Sequence, residues 1–346
     1  AGVLFAGLMM ICAIGSGNMP QINNIASVLD STFSIPKLAT GLILGVMLWL
    51  IIAGGIKRIA KIASKLVPIM AVIYFGGALV VVVENYQNII PSLNSIFSQV
   101  FSGSAAAGGF LGASFAMSLK LGVARGLYSN EAGQGSSPIA HASAKAEHSV
   151  EQGMVSILEP FIDTIVVCSV TALVILSSGA WTQKYENTFE RSSMSIFEGT
   201  YSEENSNDVE ELGKYILDAR KFTNNTTAVK EYSGELAIVN GMLTTNDITV
   251  FHNNSIAEDV MFYESGQPFE GLLEIRDGSI KDSSIKVEGK SLIHSAALTS
   301  KAFASGVLGM WGEYIVAIGL LLFAFSTAIA WSYYGDRSTA YIFGEA

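Results

Sequence analysis

Residues 122–138 read GVARGLYSNEAGQGSSP, and the fold depends on how the chain accommodates them. The glycines at positions 126, 133 and 135 disfavour a continuous helix. Ser136 and Ser137 are natural N-caps, and Pro138 suits the first turn of a new helix. The stretch lies inside a longer segment with apolar flanks, from residue 108 to about residue 146. We therefore predict two half-helices separated by an unwound segment, within a span that would otherwise cross a membrane.

An interruption at membrane depth predicts a binding site. Backbone groups released from a helix there must be satisfied by protein or must line a cavity. Half-helix N-termini offer unpaired N–H donors to a carboxylate, and unwound carbonyls suit Na⁺. The alternative is a kinked structural helix in which Glu131 neutralises Arg125. We favour the binding site, because a kink needs one Gly or Pro rather than this density of polar residues.

Five further segments are apolar over about 20 residues, the length that crosses a bilayer. They are Ala1–Leu29, Leu38–Ile56, Leu66–Val83, Met154–Trp181 and Tyr314–Tyr334. Only 14% of the 346 residues are charged, whereas a soluble domain has roughly a quarter. This composition excludes a purely soluble protein. With the interrupted segment, we predict an all-α polytopic membrane protein of about six spans.

Basic residues indicate which loops face the cytoplasm, because short loops rich in Lys and Arg stay inside. A cluster of four falls between the second and third predicted spans: Lys57, Arg58, Lys61 and Lys65. Counting spans from there also places the loop with Lys145 and the residues after the last span, including Arg337, inside. The long loop after Trp181 then falls outside.

That long loop, Gln183–Lys301, is an acidic insert with 11 basic and 20 acidic residues. The rest of the chain holds 9 basic and 10 acidic residues, so nearly all of the net charge of −10 lies in the insert. Helical spacing predicts a helix over Asn207–Lys221. Strands are predicted at Glu235–Val239, Asp247–Phe251 and Ser284–Val287, with hairpin turns at Asn240-Gly241 and Asp277-Gly278. We expect a mainly β module outside the membrane, with a stabilising or interaction role rather than ligand sensing.

Two other polar groups lie within the first and fourth apolar segments. Residues 15–24, GSGNMPQINN, offer amide side chains that either bind a ligand or join helices. Glu159 and Asp163 are four residues apart and so share a helix face beside Pro160. They either pair with Arg125 or Lys120 or form a proton or ion relay.

The last span brings hydroxyls and aromatic rings together. Ser326 and Thr327 either bond back to their own helix or, with free carbonyls, complete the oxygen shell of a hard cation. We expect Tyr333 and Tyr334 in the aromatic belt at the membrane interface.

Several classes of function are excluded. No basic stripe supports nucleic-acid binding, and two cysteines encode no disulfide framework or metal cluster. The sequence contains neither an H-E-x-x-H nor a G-x-S-x-G motif, which would indicate an intramembrane enzyme. We expect no organic cofactor.

Three stretches together resemble a known family: RGLYSNEAGQGSSPIAHASA, GNMPQINN upstream of it and FSTAIAWSYYG downstream. They are similar to the alanine-or-glycine:cation symporters, the sodium:alanine symporters, over about Ala1–Gly179 and Ala302–Gly344. The resemblance implies a leucine-transporter-type fold with two inverted repeats of five helices. The six spans would be the third to eighth of the family, and the broken span the sixth.

The resemblance also implies residue roles. Gln21 would contact the bound amino acid, and the stretch Asn130, Glu131, Ala132 and Gly133 would line the same pocket. Trp331 would form one wall, while Ser326 and Thr327 would help to hold Na⁺ as the coupling ion.

Two features depart from the family pattern. The unwound first helix and the last helices have no counterpart here, so we interpret the chain as an internal piece that holds half of the site. The loop after the family's seventh span, short in typical members, here holds the acidic insert.

We therefore predict a part of a sodium-coupled importer of alanine or glycine in the inner (plasma) membrane, working by alternating access. Its domains would be residues 1–182, the extracytoplasmic insert 183–301, and residues 302–346. The rival hypothesis is a membrane receptor whose insert binds a ligand. Alanine is not separated from glycine or serine, nor Na⁺ from H⁺, and the oligomeric state stays open.

Overall fold

The computed structural model describes residues 1–102, 106–107, 110–111, 115–219 and 227–344. The chain divides into two compact units. The helical unit comprises Ala1–Ile89, Val123–Ser178 and Ala296–Ala346, and the β-rich unit comprises Ile90–Gly122 and Gly179–Ser295. Among the described residues, four helices are long and apolar enough to cross a membrane: Gly2–Asp30, Gly55–Glu84, Ser149–Ser178 and Met310–Phe343. These helices fit a polytopic membrane protein.

The first long helix contains a π-helical insertion. Helix α1 (Gly2–Cys12) leads into a π segment (Ala13–Asn18) and then into α2 (Met19–Phe33). The sequence of the π segment, AIGSGN, has two glycines, which favour the helical state weakly. Asn18 Nδ2 donates to Ala13 O at 2.7 Å, five residues back. The first predicted span is therefore one helix whose register changes where its polar residues lie.

The connection between the second and third predicted spans is shorter in the structure than predicted. Helix α3 (Lys37–Ile52) is apolar but has only 16 residues. Helix α4 (Gly55–Glu84) begins eleven residues before the predicted Leu66 and includes all four basic residues of the expected loop. The prediction was wrong because charge was taken to end the helix, whereas Lys and Arg are good helix formers that keep their charged ends in water.

The predicted break is present. Helix α5 (Ile89–Ser102), short strands β1 (Ala106–Ala107) and β2 (Phe110–Leu111), and helix α6 (Phe115–Tyr128) precede it. Two short helices follow, α7 (Glu131–Gln134) and α8 (Ser137–His141). Gly135 separates them with φ of +79°, a conformation that favours glycine. The beginning of the predicted span, at 108–109 and 112–114, lies outside the described residues.

The fourth long helix also changes register. It runs through α9 (Ser149–Ser156), α10 (Leu158–Pro160), a π segment (Phe161–Val167) and α11 (Cys168–Ser178). It begins five residues before the predicted Met154. Tyr74 of α4 packs beside it, with its hydroxyl 2.6 Å from Thr171 Oγ1.

The last two helices complete the helical unit. Helix α13 (Ser295–Ala304) precedes α14 (Met310–Phe343), which is longer at both ends than predicted. Arg337 therefore lies within α14 rather than after it. Tyr333 and Tyr334 are buried in the core with Trp331, so their expected place in an interfacial belt was wrong. The packing of α14 against its neighbours, rather than its hydropathy, decides this.

The part of the β-rich unit from Gly179 to Ser295 contains the helix α12 (Ser206–Ala219), close to the predicted one; residues 220–221 lie outside the described part. Its strands pair antiparallel in the orders β10-β9-β13-β3, β12-β11-β5-β6 and β4-β7-β8. They are β3 (Tyr185–Thr188), β4 (Met194–Glu198), β5 (Gly234–Val239), β6 (Met242–Leu243), β7 (Ile248–His252), β8 (Ser255–Ile256), β9 (Glu258–Glu264), β10 (Gln267–Pro268), β11 (Gly271–Arg276), β12 (Ser279–Ile280) and β13 (Ile285–Ser291). The three predicted strands correspond to β5, β7 and β13.

Two-residue turns set the register of these hairpins. Both residues of each turn have positive φ, as the twist of the flanking strands requires. Asn240-Gly241 and Asp277-Gly278 were predicted. Asn253-Asn254 and Ser265-Gly266 adopt the same conformation without having been recognised.

A buried histidine lies in the core of this unit. His252 is 1% exposed and stacks on Phe189 at 4.4 Å between ring centroids. Its Nε2 accepts from Glu190 N at 3.2 Å, and its Nδ1 lies 2.7 Å from Ser291 Oγ. Because Nε2 is an acceptor, the ring is held neutral. Burial lowers the pKa of His252 to about 4, and the charge of His294 makes a smaller contribution in the same direction.

Candidate functional site

Asn130 connects three elements at the break. Its Oδ1 accepts from Gly133 N at 2.6 Å, which makes Asn130 the N-cap of α7. Its Nδ2 donates to Gly126 O at 3.1 Å and to Thr164 Oγ1 at 3.0 Å. Asn130 is only 7% exposed. The end of α6, the start of α7 and the π segment after Pro160 are thereby held together, and both amide hydrogens are used.

Glu159 holds both short helices through one carboxylate. Oε1 accepts from Glu131 N at 2.8 Å, and Oε2 accepts from Ser137 Oγ at 2.8 Å. Nε2 of His141 lies 3.6 Å from Oε2. These groups belong to the first turn of α7 and to both ends of α8. Glu159 therefore fixes the positions of the two helices relative to the fourth long helix.

The alternative of a simple kink with an Arg125–Glu131 ion pair is wrong. The carboxylate of Glu131 instead accepts a hydrogen bond from Ser136, which is fully buried. Arg125 is exposed and forms no ion pair with any described residue. The break is thus built from hydrogen bonds among polar side chains and backbone.

Two backbone N–H groups at the start of α7 are paired within the protein, contrary to the prediction. We expected unpaired N–H donors for a ligand carboxylate, but Glu131 N donates to Glu159 and Gly133 N donates to Asn130. Glu131 N is paired because the break lies against the fourth long helix, and Gly133 N is paired because Asn130 caps α7. Ala132 and Gly133 themselves are exposed, and a Cβ on Gly133 would overlap Leu127 O.

Trp331 packs directly on the π segment of the first long helix. It is 3% exposed, and a Cβ on Gly17 would overlap its ring. Tyr128, the last residue of α6, donates from its hydroxyl to Ser16 O at 2.7 Å. The structure thus brings the end of α6 and the Trp331 ring to adjacent residues of one π turn.

Two amide side chains near this turn have unused hydrogen-bonding groups. Asn18 Oδ1 is buried without a partner among the described residues. Gln21 follows on the first turn of α2, half-buried, and forms no side-chain hydrogen bond within the described part of the chain. Neither amide bonds to another helix there, which favours ligand binding over helix association for this motif.

Ser326 and Thr327 both bond back to their own helix. Their hydroxyls donate to Phe323 O at 2.8 and 3.0 Å. Helix α14 is continuous here, so its carbonyls are engaged in the helix rather than free. The hydroxyl oxygens keep lone pairs, and α14 can therefore supply two oxygen ligands to a cation. Within the described residues, no group of three His, Cys, Asp or Glu side chains is placed to bind a metal.

Sequence reasoning missed Thr164 and the role of Glu159 at the break. Glu159 and Thr164 are five residues apart, which does not place them on one face of an α-helix. The π segment has i→i+5 hydrogen bonds and aligns them. Pro160 was the available signal, because it lacks the N–H that continues a helix.

Comparison with known proteins finds a family model, the sodium:alanine symporter family, that matches residues 1–204 and 281–346. The unmatched piece, 205–280, is shorter than the insert predicted from composition. The chain is 42% identical over 183 residues to the uncharacterized transporter YflA of Bacillus subtilis, covering 53% of this chain and 39% of YflA. It is 43% identical over 178 residues to the sodium/alanine symporter AgcS of Methanococcus maripaludis, covering 51% and 38%.

A further relative is the sodium/proton-dependent alanine carrier protein of Bacillus sp. PS3, 38% identical over 170 residues, with 49% of this chain and 37% of the carrier covered. The chain thus matches about two fifths of the length of these relatives. All three are named as transporters or carriers, and the receptor hypothesis finds no support among them. Since the family model matches more than three quarters of the residues, this chain belongs to the sodium:alanine symporter family.

Proposed function

We propose that the chain takes part in the sodium-coupled symport of a small neutral amino acid, alanine or glycine. The observation that carries the proposal is the interrupted span at residues 129–137 in a chain of this family. Buried polar groups at such a break suit a solute that must lose its water shell. The relative AgcS is named for sodium and alanine.

Gln21, Trp331 and the Asn130 stretch would form the amino-acid pocket. The amide of Gln21 has no described partner and is available to hydrogen-bond the substrate. Trp331 would supply an apolar wall for a short side chain. Both donors of Asn130 are occupied, so Asn130 would act by shaping the backbone, and contact would come from Glu131, Ala132 and Gly133.

Na⁺ would bind as a transported ion at Ser326 and Thr327. Their hydroxyls donate to Phe323 O, which orients the oxygen lone pairs away from that carbonyl. Two hydroxyl oxygens satisfy only part of the shell of a hard cation. The remaining oxygens would come from other elements.

Transport would follow alternating access within a leucine-transporter-type fold. The six predicted spans correspond to four long helices, the shorter α3 and the interrupted segment, and we propose that all six cross the membrane as the third to eighth family helices. The differential affinity of substrate and Na⁺ for the outward and inward states would couple their movements. No covalent chemistry is required.

We further propose the topology and domain limits. The basic start of α4 would lie on the cytoplasmic side of the inner (plasma) membrane, and the insert would be extracytoplasmic. The domains would be residues 1–182, 183–301 and 302–346. The insert would stabilise the transporter or bind another protein.

Uptake of radiolabelled alanine by the natural full-length protein, in sodium and in choline buffer, tests the proposal. We expect uptake in sodium only, reduced by excess unlabelled glycine. Equal uptake in both buffers would refute sodium coupling, and absence of uptake in both would refute the substrate. Deleting residues 205–280 with a short Gly-Ser splice should leave the sodium-dependent uptake in place.

A further inference from the structure

An apolar cavity lies within the helical unit, bounded by α2, α3, α4 and α14. Its volume is about 430 Å³, within the roughly 300–1,000 Å³ typical of small-molecule sites. Apolar side chains such as Leu29, Leu44, Leu66 and Phe325 line it, and Thr40 is the one polar side chain among the described lining residues. The cavity contains none of the residues placed in the amino-acid or sodium site.

Thr40 carries an unsatisfied hydroxyl. The residue is 3% exposed, and its Oγ1 has no hydrogen-bond partner among the described residues. Threonine in a helix commonly donates to the carbonyl four residues back, and Pro36 O instead accepts only Thr40 N, at 3.1 Å. A buried hydroxyl without a partner is unfavourable. The lining therefore offers one hydrogen bond to a molecule that is otherwise apolar.

Water and amino acids do not match this lining. An ordered internal water usually needs two to four polar partners, and the cavity supplies one. An amino acid would bring an ammonium and a carboxylate into a site without charges. The lining therefore suits an occupant that is mostly hydrocarbon, with one polar group that can form a hydrogen bond with the hydroxyl.

The position of Thr40 indicates where that polar group lies along the occupant. Helix α3 is about 24 Å long at 1.5 Å per residue, and Thr40 lies in its first turn. Ile43 and Met47 line the cavity and are also exposed on the surface of the helical unit, so the cavity is open at that face. Lys37, three residues before Thr40, is exposed and brings a positive charge to the first turn of α3.

We propose that the cavity binds one acyl chain of an anionic glycerophospholipid, with the ester carbonyl accepting a hydrogen bond from the Thr40 hydroxyl. The hydrocarbon chain fills the apolar lining. The ester lies at the first turn of α3, and the phosphate lies near Lys37. A glycerophospholipid has these three groups in this order.

Native mass spectrometry of the delipidated full-length protein tests this assignment. The probes are dioleoylphosphatidylglycerol and its ether-linked analogue, which lacks the ester carbonyl. We expect the wild-type protein to bind the ester lipid about three- to tenfold more tightly, the effect of one hydrogen bond. Thr40→Val should lower the affinity for the ester lipid to that for the ether lipid.

Thr339→Val is the matched control, because this exposed residue already donates to Gly335 O at 2.7 Å and is remote from the cavity lining. It should bind both lipids as the wild type does. Leu44→Trp fills the cavity and should remove the tight site for both lipids. Should this variant fail to fold, Thr40→Val remains decisive, because it keeps the side-chain shape.

Two results would overturn the proposal. One is equal affinity of the wild type for the ester and ether lipids. The other is an unchanged preference for the ester lipid in Thr40→Val. In lipid-free detergent, Thr40→Val should be at least as thermostable as the wild type, since it removes an unpaired hydroxyl, and a marked loss would show that the hydroxyl has a protein partner instead.

Discussion

Replacing Glu159 by Gln should weaken the hydrogen bonds that hold α7 and α8, while the side chain keeps nearly the same shape. The carboxylate accepts from Glu131 N and Ser137 Oγ, each at 2.8 Å. Glutamine is nearly isosteric, and its amide can keep the bond to the Glu131 N–H while donating to the Ser137 hydroxyl. The variant therefore tests the charge of the carboxylate rather than the presence of a side chain.

The expected cost follows from these two hydrogen bonds. A hydrogen bond to a charged group contributes about 1.5–3 kcal/mol, whereas a neutral one contributes about 0.5–1.5 kcal/mol. Losing the charge at both bonds should lower the free energy of local opening by about 2 kcal/mol. Because 1.4 kcal/mol is a tenfold change in an equilibrium constant, the amides of α7 and α8 should exchange hydrogen about 30-fold faster.

Hydrogen–deuterium exchange measured by mass spectrometry on peptides covering residues 129–141 gives the required local readout. Glu151→Gln is the control, since Glu151 is exposed on the same long helix and its side chain forms no hydrogen bond within the described residues. Unchanged exchange in Glu159→Gln, or an equal acceleration in Glu151→Gln, would contradict a role of the Glu159 charge in holding α7 and α8.

Three further predictions concern the ion, the substrate and the insert. Thr327→Ala should raise the Na⁺ concentration for half-maximal uptake, and an unchanged value would remove Thr327 from the ion site. Gln21→Ala should raise the apparent KM for alanine, whereas an unaltered uptake curve would contradict its contact with substrate. Acid should destabilise the β-rich unit, because the pKa of His252 is about 4 when folded and about 6.5 when unfolded, so the unfolded state binds the proton first. Between pH 6.5 and 4 the free energy of unfolding should fall by on the order of 3 kcal/mol, measured by thermal unfolding; a fall as large in His252→Gln would exclude the histidine as its cause.

Local patterns predicted much of the architecture. Apolar length identified the long helices, and glycine density with Ser-Ser-Pro located the break. Asn240-Gly241 and Asp277-Gly278 marked hairpins because both residues of such turns need positive φ. The predicted limits of the helices were less accurate. Helix α4 begins at Gly55 rather than Leu66 because Lys and Arg are good helix formers.

The contacts at the candidate site were less predictable. The Glu159 carboxylate meets Glu131 N across 28 residues of sequence, and Trp331 packs on Gly17 from the other end of the chain. The sequence indicated that Glu159 and the break were both polar, but it offered Arg125 and Lys120 as partners for the carboxylate. Charge alone could not reveal that a backbone amide and the Ser137 hydroxyl would donate to the carboxylate instead.

The amino-acid sequence by itself determined which segments are apolar, where helix formation is interrupted and which segment forms antiparallel hairpins. These properties depend on propensity and on neighbours within a few residues. The tertiary structure alone decided that π turns align Thr164 with Glu159 and that the Glu159 carboxylate already accepts from Glu131 N. It also decided that the Thr40 hydroxyl faces an apolar cavity, because that cavity exists only where four helices pack.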